Sequence, residues 1–559
     1  LDEGIITPDG SFRFLHSESG EEQNLPRVIS TEYGKGSSQD IIKPLVQKLV
    51  AEGKQVIVFR ETKGEARGTA NYLSELLGLL PASEALAQLP VGDPSQASAQ
   101  LRKVLSGGVA FHIADMDREE RLVIEEQFRV PSSPIRVIAA TTTLAMGVNT
   151  PAEAVIVAGL MHPKNNPYTV AEYKNIIGRA GRLGMAERGT SYLVALSPHE
   201  RDRYWQHYVL AKPEDIRSRF LAPGTDPSTQ IIRVLASVRK SNDKGMSGQE
   251  ILDFLESSFG AYQMVQLHEG WSWNRSDFAR HIAELEHSGL IEIGEDGGYH
   301  LTQLGRLAGE SAVEVISILR LVRIFRAAPP EQLSDPTFIA AAQATRELDD
   351  VYFPMNDKSY MRDHKEPQAW MAELRRNGVA PSVLQSLWAA GPEPQTPARR
   401  IKRAAACLLW MSRLPITELE QALTQFGGRD GAAGPIRSVA ARTYDLLPTV
   451  IRVAQLVHPD LELGERSRNL LVRLEVGVPS QILEIARLCG TRLTRGDYQI
   501  LMQNGLLNVQ ALEEAGSEGI SGALGGDAAK TQMIREALEG FREREETSTI
   551  LPDLPLYDS

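Results

Sequence analysis

The residue types that could do chemistry gather in two short segments. One is Tyr173-Lys174-Asn175-Ile176-Ile177-Gly178-Arg179-Ala180-Gly181-Arg182, with two arginines three residues apart among small residues. On a helix, residues three apart share a face, so this spacing predicts two guanidinium groups that project together. Such a pair suits bidentate capture of a phosphate and the neutralisation of charge that develops when a phosphoryl group moves. The other segment is Ala140-Thr141-Thr142-Thr143-Leu144-Ala145-Met146-Gly147-Val148-Asn149-Thr150-Pro151-Ala152, which follows an apolar run over 135–140. A glycine-containing turn after a strand presents N–H groups and hydroxyls to an anion. Each alone has a plainer reading, a solvated basic face for the first and an ordinary strand-to-helix turn for the second. From Asn149 to Asn175 the two lie 26 residues apart.

Together they resemble motifs VI and V of superfamily 2 nucleic-acid helicases, Q-x-x-G-R-x-G-R and the T-x-T-L-A-x-G-V-N-x-P-A form of the Ski-type and archaeal repair helicases. The resemblance implies an arginine finger at Arg182, with Arg179 also near the phosphates. It implies that Gly147, Asn149, Asn175 and Gly178 face the nucleotide and that Thr141 and Thr143 touch the strand backbone. Asn175 stands where the family has Gln, one methylene shorter. Val56-Ile57-Val58-Phe59-Arg60-Glu61-Thr62 resembles motif IV, which implies strand contacts at Phe59 and Arg60. Gly108–Asp115 resembles the G-V-A-F-H-H-A-G-L element, with Ile113 and Asp115 replacing His and Gly. Without that resemblance, His112 reads as a structural histidine.

The other half of such a site is not in this sequence. A phosphate-cradling G-x-x-x-x-G-K-[ST] loop and a D-E-x-x pair for Mg²⁺ are missing. Gly525–Thr531 lacks the glycine before lysine, and Leu348-Asp349-Asp350-Val351 falls in a helical region. The expectation is that ATP and Mg²⁺ are held mainly by a first RecA-like domain, in cis or on another chain. On that reading this chain is the arginine-finger half and is inactive alone.

These residues need elements to position them. Over about 41–215, apolar runs alternate with amphipathic stretches, the pattern of βαβ units on a parallel sheet. The pattern predicts an α/β fold, and the resemblance to superfamily 2 helicases implies that this is their second RecA-like domain. Residues 1–40 read as a β-hairpin and connector from the missing first domain. The rest is mostly helical. A winged helix is expected over 216–310, with helices at 229–240, at 247 onward behind a Ser247/Glu250 capping box, and at 276–287, then a wing around Gly294–Gly298. A helical bundle is expected over 311–465, small helices with glycine turns over 466–540, and a flexible tail over 541–559.

That order resembles the archaeal repair-helicase group, which includes the helicase part of DNA polymerase theta. The resemblance implies a ratchet helix, placed at 434–457, with Arg437, Arg442 and Tyr444 near the strand. It also implies a helix-hairpin-helix module whose turns at Gly505 and Gly525 offer N–H groups to phosphates. Basic runs at Arg320, Arg323 and Arg326 and at Arg399-Arg400-Ile401-Lys402-Arg403 fit a channel. The short segment 161–168, where the family has its strand-separating hairpin, suggests only a small turn.

Composition agrees with a soluble chain. Of 559 residues 42% are hydrophobic and 24% charged, with no long apolar run and no secretory signal. Two cysteines in unrelated contexts suit a reducing, cytoplasmic and nucleoid-associated setting. The net charge of −12 favours no nucleic-acid partner by itself, but basic residues can line one surface while acids cover another. The expected activity is that of an ATP-dependent 3′–5′ DNA helicase or translocase acting on single-stranded or forked DNA. The alternatives are a Ski-type RNA helicase, a scaffold subunit that catalyses nothing, and a binding module whose ATPase part is dispensable. No membrane association is expected.

Overall fold

Val56–Phe59, Val109–His112, Val137–Ala140 and Ala154–Val157 are apolar without alternation, as strands buried on both faces must be. In the computed structural model they lie side by side in one sheet. The structure describes residues 1–31, 36–144, 152–162, 166–181, 189–220, 224–239, 245–268, 270–356, 364–425 and 431–550. It divides into two compact units, Leu1–Asp215 and Ile216 onward.

The first unit holds eight strands. They are β1 (Asp2–Ile6), β2 (Phe12–Leu15), β3 (Glu22–Leu25), β4 (Val56–Phe59), β5 (Val109–His112), β6 (Val137–Ala140), β7 (Ala154–Val157) and β8 (Thr190–Val194), in the order β3-β2-β1-β8-β7-β4-β6-β5. From β1 to β5 across the sheet every pairing is parallel; β2 and β3 extend it as an antiparallel edge. The helices are α1 (Ser38–Ala51), α2 (Lys63–Leu76), α3 (Ser83–Gln88), α4 (Gln96–Leu105), α5 (Arg118–Arg129), α6 (Val170–Ile177) and α7 (Pro198–Tyr204), followed by a π-helical turn, Trp205–Val209. Residues 1–40 are therefore not a separate connector. β1 pairs in register with β8, Gly4 opposite Tyr192, and Phe12 and Phe14 join the same core. Cross-strand pairing over nearly the whole unit decides this, and local pattern could not show it.

The second unit begins with α8 (Pro227–Arg239), α9 (Gly248–Glu256), α10 (Phe259–Leu267) and α11 (Arg275–His287), then the hairpin β9 (Ile291–Ile293) and β10 (Tyr299–Leu301), then α12 (Gln303–Glu310). Ser247 and Glu250 form the expected capping box on α9. The sequence reading passed over α10, which Ser258 caps by accepting from Ala261 N–H at 3.2 Å. A bundle follows: α13 (Val315–Arg326), α14 (Asp335–Gln343), α15 (Lys365–Arg376), α16 (Pro381–Leu387), α17 (Thr396–Trp410), α18 (Ile416–Thr424), α19 (Ala433–Val457) and α20 (Gly464–Val476). The last helices are α21 (Leu483–Cys489), α22 (Arg495–Gln503), α23 (Val509–Ala523) and α24 (Ala528–Ile550).

Three expected boundaries move. One continuous core runs from Ile231 to Leu474, so 216–310 and 311–465 share their interior. Helix α20 places Leu470 and Leu474 in that core, while its last residue, Val476, opens the final core, so no break falls at 465/466. Helix α24 continues past 541 to Ile550, and 551–559 lie outside the described residues. No described helix is long and apolar enough to cross a membrane.

Candidate functional site

The parallel register brings four strand ends together. Phe59 faces Ala140 on one side and Val157 on the other, and Ala140 also faces His112. The ladder continues one step beyond the strands: Arg60 N–H donates to Ala140 O at 2.8 Å, Ala158 N–H to Phe59 O at 3.0 Å and Thr141 N–H to His112 O at 3.3 Å. The carboxyl ends of an open parallel sheet are where such folds bind ligands, and the motif IV and motif V segments begin there. Thr143 lies on a 3₁₀ turn, Thr142–Leu144, and its hydroxyl is 3.2 Å from that of Thr141 just before the turn. Gly147 and Asn149 lie outside the described residues, as does Arg182.

The backbone joins the two motif segments. Ala152 and Ala180 form a parallel bridge, in which Ala152 N–H donates to Arg179 O at 3.1 Å and Gly181 N–H to Ala152 O at 2.9 Å. This changes the geometry read from the spacing. Helix α6 ends at Ile177, with Gly178 as its C-cap, so Arg179 lies past the helix and the shared-helix-face argument for Arg179 and Arg182 fails. The ladder to Ala152 draws the chain out of the helix at that point. The Arg179 side chain is 4% exposed, and its burial corrects the expectation of an arginine that reaches out to phosphates. Gly181 has φ +67°, a conformation open to glycine, and a Cβ on Gly189 would lie 2.4 Å from Gly181 N. Asn175 and Gly178 are exposed at the end of α6.

Helix α6 is fixed from below. Lys174 Nζ donates to both Glu3 oxygens, at 2.7 and 2.9 Å, and to Val209 O at 2.9 Å. Burial holds the Glu3 carboxyl above its ordinary value, with Lys174 pulling it back. Tyr173 is buried edge-on against Tyr208, and burial raises its phenol well above the usual value. At the other end of α6, Thr169 and Glu172 form a capping box, and Glu214 accepts from the N–H groups of Val170 and Ala171.

Motif IV is placed differently from the expectation. Phe59 is 3% exposed and belongs to the core, so its side chain is not offered to a strand. Arg60 is half-buried and held internally, donating to Ser38 Oγ at 2.9 Å and Glu65 Oε1 at 3.0 Å. Glu61, which the sequence reading passed over, accepts from Met161 N–H at 2.9 Å and so ties this strand end to the 161–168 segment. There Met161 bridges Pro167 and His162 N–H donates to Asn166 O at 2.7 Å. His112 is structural, 2.9 Å from Glu125, and the substituted Asp115 is buried in an ion pair with Lys63 at 2.7 Å.

In the second unit, α19 exposes Arg442, 3.6 Å from Asp445, and half-buries Arg437 and Tyr444, with Tyr444 packed on the core. The Arg399–Arg403 run is no channel wall. Arg400, Lys402 and Arg403 are fully buried, and Arg400 holds both Asp349 oxygens at 2.7 and 2.5 Å. Lys402 donates to Glu366 at 2.5 Å and Pro354 O at 2.6 Å. Arg403 donates to the carbonyls of Leu348 and Val351. These cations are inside because carboxylates and carbonyls meet them there.

The glycine turns also differ from the expectation. Gly505 N–H is bonded to Met502 O at 3.2 Å and Leu506 N–H to Leu501 O at 2.9 Å. Gly525 N–H goes to Gly522 O at 3.4 Å and Gly526 N–H to Ser521 O at 2.8 Å. These donors close the preceding helices, as left-handed C-caps do, so they do not point to a phosphate.

Residues 39–184 match the family described as "Helicase conserved C-terminal domain". The chain is 26% identical over 470 residues to an ATP-dependent DNA helicase Hel308 of Methanocella arvoryzae, a match covering 82% of this chain and 59% of that protein. It is 31% identical over 317 residues to the protein of that name from Pyrobaculum calidifontis, covering 53% and 43% of the two chains. A third, from Pyrococcus horikoshii, is 33% identical over 245 residues, covering 42% and 32%. The chain thus spans well under two thirds of the length of these curated relatives. The segment 39–184 is a helicase C-terminal domain on a RecA-like parallel sheet, and the remainder of the chain is largely helical.

Proposed function

We propose that this chain is the C-terminal part of the motor of an ATP-dependent 3′–5′ DNA helicase or translocase. The observation that carries the reading is the Ala152–Ala180 ladder, which ties the motif VI segment to the end of the motif V segment, a segment that leaves the carboxyl end of β6 and reaches this ladder just before β7. A first RecA-like domain, in cis or on another chain, supplies the phosphate-cradling loop. Mg²⁺ is assigned to that first domain together with the acidic pair that would hold it.

In this mechanism Arg182 is the arginine finger that neutralises charge on the transferring phosphoryl group. Arg179 is a positioning residue, buried where the two segments meet. Gly147, Asn149, Asn175 and Gly178 border the nucleotide, and Thr141 and Thr143 meet the strand. The Lys174–Glu3 contact holds α6 against β1, so motif VI moves with the sheet. Residues 227–310 act as a winged helix, α19 as the ratchet helix through Arg442 and Arg437, and 477–540 as a helix-hairpin-helix-like module. DNA rather than RNA is the favoured strand because the curated relatives are named as DNA helicases.

Reconstitution tests the proposal. Joined to a first RecA-like domain with an intact Walker A loop, the chain should hydrolyse ATP at a rate that single-stranded DNA stimulates. By itself it should be inactive. A first domain that turns over ATP equally well with and without this chain would overturn the reading.

A further inference from the structure

Helices α13 and α16 flank a cleft of about 310 Å³ whose polar lining is Arg320, Arg323, Ser382, Gln385 and Ser386. Arg320 and Arg323 are three apart on α13 and share a face. Arg320 is half-buried and fixed by a 2.6 Å hydrogen bond from Nη1 to Ala344 O. Burial lowers its guanidinium pKa, and the nearby Arg400 lowers it further. Arg323 is exposed, and no described carboxylate pairs with it. The Ser382 hydroxyl is buried and lacks a hydrogen-bond partner.

The acids that could neutralise this cleft are engaged elsewhere. Asp349 is held by Arg400 and lies 3.9 Å from Arg403, and Glu347 accepts the Glu314 N–H at 2.6 Å. What remains is the Arg323 guanidinium fork, the Arg320 N–H groups not bonded to Ala344 O, a hydroxyl and an amide around a space that no described side-chain anion fills. Guanidinium forks match the oxygens of a phosphate. Arg326, exposed one turn on and about 4.5 Å further along the axis, extends the row beyond the cleft.

We propose that this cleft binds a phosphate group, taken from the sugar–phosphate backbone of a nucleic-acid strand. Only the source of the phosphate rests on the helicase reading; the donor set does not. The site is independent of α19 and recognises phosphate without reading bases.

The test uses the whole chain and an exposed side chain whose loss spares the fold, Arg323→Ala, with Arg323→Lys and Gln385→Glu beside it. Single-stranded DNA is titrated at several salt concentrations, and thermal stabilisation by inorganic phosphate is read against chloride at matched ionic strength. Arg323→Ala should weaken strand binding about fivefold and make the salt slope shallower by about 0.7. Gln385→Glu should act in the same direction, and Arg323→Lys should restore most of the affinity. If strand binding is unchanged but stabilisation by inorganic phosphate is lost in Arg323→Ala, the cleft takes free phosphate, which upholds the site and reassigns its source. Both readouts unchanged in Arg323→Ala and Gln385→Glu would overturn the proposal. If the wild-type chain binds no strand at all, the helicase reading fails while the phosphate arm still reports on the cleft.

Discussion

Two regions of this molecule collect basic side chains and put them to opposite use. In α17, Arg400, Lys402 and Arg403 turn inward onto Asp349, Glu366 and backbone carbonyls, and burial lowers the Arg403 guanidinium to about 10. On α13, Arg323 and Arg326 stay exposed. Residue type does not separate the groups. What separates them is whether a carboxylate or carbonyl waits at the end of the side chain. A buried cation with a partner holds the bundle together, and an exposed one is available to a ligand.

Removing the partners of the buried cations should separate the two groups. Arg400→Ala removes the bidentate partner of the buried Asp349 and leaves it only Arg403 at 3.9 Å; it should cost about 3–5 kcal/mol, seen in chemical denaturation as early melting of the second unit while the first unit's transition stays in place. A cost no larger than that of Arg323→Ala would erase the distinction.

Lys174→Met should cost the first unit about 1–3 kcal/mol, the range for a hydrogen bond to a charged group. Its pH dependence follows from Glu3. Because that carboxyl is raised above 4.5, the folded protein holds the extra proton between 4.5 and the raised value, and stability falls as pH rises through that window. Without Lys174 the carboxyl is raised further, so the deficit of the variant should shrink as pH drops. A pH-independent deficit would show that Lys174 acts only through Val209.

A smaller effect is expected at Thr62, which caps α2 by accepting from Glu65 N–H at 3.2 Å. Thr62→Ala should cost about 1 kcal/mol and loosen the Arg60–Glu65 contact without changing strand binding.

The smallest effect concerns the β9–β10 hairpin. There His300, then the N–H groups of Gly298 and Gly245, hold the exposed Asp296 carboxyl down to about 2. Its contribution is present above 3.8 and is lost as pH falls towards about 2. Amide exchange at Gly245 and Gly298 should quicken over that interval, and Asp296→Asn should flatten the response.

Much of the fold was legible because its signals are local. Unbroken apolar runs marked β4 to β7, and a capping box marked the start of α9. The misreadings share one cause, partners distant in sequence. Arg400 looked like a channel residue because Asp349 is 51 residues away, and Lys402 because Glu366 is 36 away. The hairpin at 1–40 looked detached because β1 pairs with β8 at the other end of the unit. Arg179 looked helical because the spacing carries on past Ile177, whereas the ladder to Ala152 does not allow the helix to. At the site, the strand-end position of motifs IV and V was readable, but the inward turn of Phe59 and Arg60 was not.

The central claim is that motif VI completes an ATPase site that this chain does not hold by itself. The most direct measurement is DNA-stimulated ATP hydrolysis by the assembly containing both RecA-like domains, comparing wild type with Arg182→Ala and reading single-stranded DNA affinity in parallel. Loss of turnover by about 10³-fold or more, the scale on which an arginine finger acts, with strand affinity nearly unchanged, is the predicted result. Turnover that survives Arg182→Ala would contradict it.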